Sequence, residues 1–350
     1  SCARVMQDDL QDHRSSRAGN SQIDHDSIRA LELALAGAFQ EQGHTLERTG
    51  GAPDFLIGGP HPVAIEATTS NPTQSYADTE GEAAAGQASP DAHPLVPQDP
   101  EGAETEFVFQ CAKALRRKLK KTDAQGRFYW QKPHIEGRPF VIALESFHHP
   151  AALFQTIGPL ISYLFGRRDV ATRDGDGNLV LASEKIAEHR HNGNSIASGL
   201  FAQPEAAHLS SVIFSNSATI AKFHRMGTER GYGPDDVALV RYGMLPDPDP
   251  NADRPLRHAY VIGDYEAEDH ETFSEGFHIL HNPWAHTPIG KGVFPGFTEH
   301  RLREDGLILT EADGIPDFIV SHTAVFDGPQ ARAAARTYVG RALAGFRPSS

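Results

Sequence analysis

Between residues 50 and 72 the chain reads GGAPDFLIGGPHPVAIEATTSNP, and this stretch limits the fold more than any other. Two apolar runs flank a Gly-Gly-Pro-His-Pro segment, the pattern of an antiparallel hairpin. With the turn centred on Pro60, equidistant residues face each other: Ile57 with Val63, Phe55 with Ile65, and Asp54 with Glu66. Side chains alternate along a strand, so Phe55, Ile57, Val63, Ile65 and Ala67 share an apolar face turned to a core. Asp54, Glu66 and Thr68 share the other face. Like charges placed opposite each other on paired strands destabilise by some tenths of a kcal/mol or more. A divalent cation between them removes that cost, and Mg²⁺ takes one or two carboxylates while keeping several waters. The expected metal site is Asp54, Glu66 and the Ala67 carbonyl, with Mg²⁺ or Mn²⁺ as the ion.

The neighbouring segments predict the rest of a sandwich. DHDSIRALELALAGAFQEQG has Asp26 or Ser27 as a cap, apolar residues at Ile28, Leu31, Leu35 and Phe39, and Gly43 as a stop, which predicts a helix. Residues 69–104 are rich in Pro, Ala, Gly, Asp and Glu and nearly lack large apolar groups, so they are expected to be a mobile surface insertion. Residues 105–121 predict a second helix with an i, i+4 stripe of Phe107, Cys111, Leu115 and Leu119. Its end, KALRRKLKK, carries six cations and no acid. RPFVIALESF then predicts a buried strand. Beyond Pro150 the pattern blurs: LISYLFG reads as helix, VATRDGDGNLVLAS as a hairpin, and HLSSVIFS, VALVRYGM and RHAYVIGDY as strands. SATIAKFHRMG and PQARAAARTYVGRALAGF read as helices. The expected division is a disordered segment 1–22, a core 23–150 containing the insertion, and a C-terminal α+β region 151–350 packed on that core.

Composition closes several classes. Apolar residues make up 39% of 350, enough for a core, yet no run of eighteen apolar residues predicts a membrane span. Two cysteines, Cys2 and Cys111, support neither a disulfide framework nor a Cys-based zinc site, and a reducing cytoplasm is the expected setting. The opening SCARVMQDD has no initiator Met and no apolar centre, so it is not read as an intact signal peptide. A net charge of −14 argues against non-specific coating of nucleic acid but leaves room for a local basic groove around residues 113–121. The dinucleotide glycine pattern, the P-loop and Gly-x-Ser-x-Gly are absent.

Other motifs favour ordinary readings. His148 and His149, and His189 and His191, lack a third ligand at zinc spacing and are expected in solvated loops. Glu145 and His148 could flank the hairpin site, though packing or capping is expected. DGDGN has Leu179 and Lys185 where a calcium loop needs Gly and Glu, so it is a turn. The segment from Ser215 to Thr219 could hold a phosphate with Lys222 and Arg225 beyond it, but a capped helix start is expected. The second Pro-Asp-Phe, Pro316 to Phe318, is followed by no matching carboxylate strand and is read as chance.

The Pro-Asp pair, the Glu on the next strand and the helix-strand-strand-helix-strand order resemble the PD-(D/E)XK, or restriction-endonuclease-like, nuclease superfamily over residues 24–150, and the whole chain looks like bacterial members of it. The resemblance implies an αβββαβ sandwich, a mixed sheet flanked by helices, with Asp54 and Glu66 as metal ligands and Glu32 as a further acid. It implies Mg²⁺-dependent hydrolysis of phosphodiester bonds, in DNA. No membrane partner is expected, from the lack of a long apolar run, and room is left for a homo-oligomer. Thr68 stands where the motif lysine belongs. The expected substitute is Lys113, one turn past Gln110, with Lys118 next and Thr68 acting through a water. Gln110, Arg117, Lys118, Trp130 and Lys132 are expected to contact nucleic acid, with Tyr129 and Trp130 stacking on bases. The competing reading is an inactive nuclease fold serving as a binding or scaffold module, and a third is a histidine-based metal hydrolase.

Overall fold

The protein is described by a computed structural model covering residues 21–47, 51–71, 99–252, 254–264, 270–312 and 318–344. Helix α1 spans Ser21–Glu41, and Gly43, at φ +75°, turns the chain out of it. Strands β1 (Leu46–Glu47), β2 (Phe55–Ile57) and β3 (Val63–Ser70) follow. The hairpin register is the one that symmetry about Pro60 predicts, with Ile57 opposite Val63 and Phe55 opposite Ile65. Leu31, Leu35 and Phe39 are fully buried against Ile57, Val63, Ile65 and Ala67, so α1 covers the apolar face. Helix α2 (Pro100–Leu119) opens on Asp99, whose carboxylate accepts the Gly102 N–H at 3.0 Å. Its stripe, Phe107, Cys111, Leu115 and Leu119, is buried against Leu56, Ala64, Phe140, Ile142 and Leu144 on the opposite face of the sheet. Strand β4 (Phe140–Ser146) runs parallel to β3, a pairing that needs a crossover, and α2 supplies it.

The sheet continues into the second half of the chain. Helix α3 (Gly158–Phe165) ends at Gly166, at φ +68°. A hairpin of β5 (Arg167–Arg173) and β6 (Leu179–Lys185) turns at DGDGN, where the Asp174 carboxylate accepts backbone N–H groups of Asp176 and Asn178. A second hairpin joins β7 (Glu188–His191) and β8 (Asn194–Ala197). Strand β9 (Leu209–Ser215) pairs parallel with β4. Helix α4 (Ile220–Glu229), β10 (Val237–Leu245) and β11 (Leu256–Val261) follow, then β12 (Phe277–His281), β13 (Thr298–Leu302) and β14 (Ile308–Glu311). Strand β15 (Val320–Asp327) and helix α5 (Ala331–Ala344) come last. The described residues form an eight-stranded mixed sheet, β1-β2-β3-β4-β9-β12-β13-β14, and a three-stranded sheet, β11-β10-β15, covered by α5. No described helix is long and apolar enough to cross a membrane.

Three expectations change. Thr69 and Ser70 belong to β3, and residues 100–104 belong to α2, so the insertion is shorter than 69–104; residues 72–98 lie outside the described residues, as do 1–20. His189 and His191 sit on a strand, and His148 is buried with its Nδ1 2.7 Å from the Ser146 hydroxyl, so none of the three is in a solvated loop. Strands β12 and β13 escape a hydropathy reading because His and Glu occupy inward positions. There they satisfy one another: His278 with His300 at 3.0 Å, and His281 with Glu299 at 3.3 Å. Asp317 and its neighbours from 313 lie outside the described residues.

Candidate active site

Asp54 stands one residue before β2, at the solvent-facing rim, and its Oδ2 accepts the Ala67 N–H at 2.7 Å. The N–H and C=O of one strand residue point to the same side. The Ala67 carbonyl is therefore turned toward Asp54 as well. Glu66, next in β3, faces α2 and is buried. Its Oε1 receives Lys118 Nζ and the Tyr129 hydroxyl, each at 2.6 Å. Its Oε2 is buried with no hydrogen-bond partner. Burial, and then the Glu66 charge, hold the Asp54 carboxyl above its ordinary range, against the Ala67 N–H, Lys118 and Lys121. Glu32, on α1, is raised by burial first and Asp54 second, with Glu66 adding and Arg29 and Lys118 opposing. Three carboxylates thus share one field in which Lys118, Lys121 and Arg29 also act, and Asp54 and Glu32 are raised in part by their neighbouring carboxylates, a crowding that a cation held between them would relieve.

An orphaned Glu66 oxygen, the Asp54 carboxylate and the Ala67 carbonyl are hard oxygen donors of the kind Mg²⁺ and Mn²⁺ take. Among the described residues no three His, Cys, Asp or Glu side chains converge to hold a metal ion, so Glu32 feels the pair without joining it as a ligand.

The structure redistributes the other expected residues. Lys118, not Lys113, meets the carboxylate; Lys113 is exposed, five residues earlier and about 140° around the helix. Gln110 is half-buried, about two turns before Lys118. Thr68 is buried and its hydroxyl accepts from Arg117 at 3.1 Å, so it is engaged by a cation on α2. Trp130 stacks on Phe128 (5.0 Å, 6°) and on His208 (5.1 Å, 10°), so its indole is already engaged by two rings of the protein. Tyr129 is buried against Phe140 and cannot stack on a base, while Lys132 donates to the Ala52 carbonyl at 3.1 Å. Lys132, Arg127, His134, Leu56, Ala52 and Glu47 line a cleft of about 560 Å³ beside the hairpin.

Glu145 does not flank this site. It shares a face of β4 with Ala143 and Val141, the face turned toward α1, and there burial raises its carboxyl far above the usual range. The α4 start is no phosphate site: Lys222 is buried and donates to the Phe273 and Glu275 carbonyls, and Arg225 is bidentate to Glu271. Thr219 caps α4 without a side-chain hydrogen bond.

Sequence reasoning missed the Tyr129–Glu66 bond and had the means to choose Lys118. Lys118 lies three residues after Leu115 and seven after Cys111, on the buried side of α2. Compared with protein families, with curated proteins and with solved structures, the chain shows no match.

Proposed function

We propose that the chain is a metal-dependent phosphodiesterase of the restriction-endonuclease-like, PD-(D/E)XK type, acting on nucleic acid, with DNA as the expected substrate and Mg²⁺ or Mn²⁺ as the ion. The observation that carries the reading is the meeting of Asp54, Glu66 and Lys118 from three successive elements of an α-β-β-β-α-β run. Asp54, Glu66 Oε2 and the Ala67 carbonyl would hold the ion, which supplies Lewis acidity and an activated water when bound. Lys118 takes the part of the motif lysine, offering positive charge where the phosphorane develops it. Arg117, Lys121 and Lys132 supply cations for flanking phosphates.

A second reading, an inactive binding module on the same fold, draws on the Lys118–Glu66 contact itself, because a salt bridge that neutralises Glu66 needs no metal. One experiment separates them: cleavage of supercoiled plasmid and of short duplex and single-stranded DNA with Mg²⁺, Mn²⁺ or chelator. The nuclease reading expects metal-dependent nicking that Asp54→Asn and Glu66→Gln abolish and Lys118→Ala lowers by about 10²-fold or more. Lys113→Ala should cleave at the native rate. DNA binding without cleavage, unaltered by Glu66→Gln, would favour the binding module.

A further inference from the structure

The two oxygens of Glu66 have different surroundings, and the two donors on Oε1 are held differently. Tyr129 belongs to a short 3-10 turn, Tyr129–Gln131, and is 2% exposed. Its ring stacks on Phe140 of β4 at 5.5 Å and 15°, with Lys132 Nζ 5.0 Å and Lys121 Nζ 5.7 Å from its centroid. A phenol so packed has little freedom left. Lys118 reaches the same oxygen along a flexible four-carbon stem, from a side chain that is 15% exposed. The donors also differ in charge. A divalent cation on Oε2 repels an ammonium on Oε1, whereas a neutral phenol feels no such repulsion. A phenol is neutral at pH 7.5 and keeps its hydroxyl proton to donate.

We propose that Tyr129 is a positioning residue: it retains Glu66 Oε1 while Oε2 is offered to the cation, and it thereby lets Lys118 leave the carboxylate for an anionic oxygen of the substrate. The proposal rests on the metal-dependent reading above. It assigns the chain one fixed and one exchangeable donor on a single carboxylate oxygen. No covalent step is involved; Lys118 exchanges one anionic partner for another.

The test is Mn²⁺ binding to the full chain, measured by the EPR signal of free Mn²⁺ at pH 7.5, for the native protein, Glu66→Gln, Tyr129→Phe and Lys118→Ala. Tyr129→Phe keeps the ring and its stack on Phe140 and removes only the hydroxyl. The expected result is binding in the native protein that Glu66→Gln abolishes, a 10–100-fold weakening in Tyr129→Phe, the scale for loss of a partner that orients a metal ligand, and undiminished affinity in Lys118→Ala. Native affinity in Tyr129→Phe, or equal weakening in both variants, overturns the assignment and leaves the metal reading standing. Absence of Mn²⁺ binding in the native protein overturns both. Should Tyr129→Phe fail to fold, Phe140→Leu, which loosens the phenol while keeping both donors, must weaken Mn²⁺ binding too; unchanged affinity there overturns the proposal.

Discussion

Lys118 and Lys113 show how a single helical offset chooses between residues of identical chemistry. Both lie in one basic run, and only the one on the buried stripe reaches Glu66. Thr68 is fixed by the same geometry. It is 1% exposed and its hydroxyl accepts from Arg117, so a motif lysine at this position would set an ammonium against a guanidinium. We therefore expect Thr68→Lys to destabilise the fold by about 1–3 kcal/mol, the range for breaking a buried polar contact. Adding Arg117→Ala should return part of that loss. Paired thermal melts check it: native-like melting of Thr68→Lys, or no recovery in the double variant, would show that the Arg117 contact does not set the choice of residue. What strand alternation and a two-fold turn make legible is the placing of Asp54 near Glu66. The choice of Lys118 over Lys113 was legible too, in the spacing from Cys111 and Leu115, whereas the partners of Thr68 and Trp130 depend on where a helix or loop lands on the sheet, which no local spacing records.

The elements divide along the same line. The amphipathic helices α1 and α2, the hairpin and β4 were readable because each buries an uninterrupted apolar pattern. Strands β12 to β14 were not, because their polar residues are paid for by partners distant in sequence. Helix α4 was readable as a helix, but its buried cations were not readable as structural. Arg225 is bidentate to Glu271 at 2.8 and 2.6 Å, and Arg241 of β10 lies 3.6 Å from the same carboxylate. The side chains of this cluster are nearly inaccessible, so the ions cannot turn to water when one is removed. Glu271→Ala should destabilise by about 3–5 kcal/mol, because it strands the buried Arg225 guanidinium, while Arg241 keeps Glu275 at 2.6 Å. Leu115→Ala in α2, which only opens a cavity, should cost about 2–5 kcal/mol. A second substitution tells the two apart in denaturant titrations: Arg225→Met, which removes the stranded charge, should recover part of the loss in Glu271→Ala and none of it in Leu115→Ala.

Across the whole molecule, histidine burial ties stability to pH. Burial holds His278 down to about 4 and His300, with His278 and His281 beside it, to about 3. His148, with His149 adjacent, and His322, with Arg225 adjacent, are held to about 4. Each has an unfolded value near 6.5. Between that value and the depressed one the unfolded chain binds the extra proton and the folded chain does not. Stability is therefore fully present above about pH 6.5 and falls as pH drops toward 4, by up to about 1.4 kcal/mol per pH unit for each such proton. Glu145 opposes this, because its raised carboxyl is protonated in the fold and ionised in the unfolded chain. Loss of negative charge from a −14 chain also opposes it. Asp54 and Glu32, also raised, oppose it at the lower end of the window, and the four histidines outweigh these three carboxyls. The lowered carboxylate Glu299, held to about 2 by the His281, Arg301 and Gly292 contacts against its burial, adds to the loss only at lower pH. Melting temperatures measured from pH 7.5 to 4.5 should fall steadily below pH 6.5. His300→Gln, which keeps a polar side chain without the titration, should make that fall shallower while lowering the plateau. A melting temperature that stays flat to pH 5 would mean that these rings take up protons within the fold, and that the His278–His300 contact opens more easily than its burial implies.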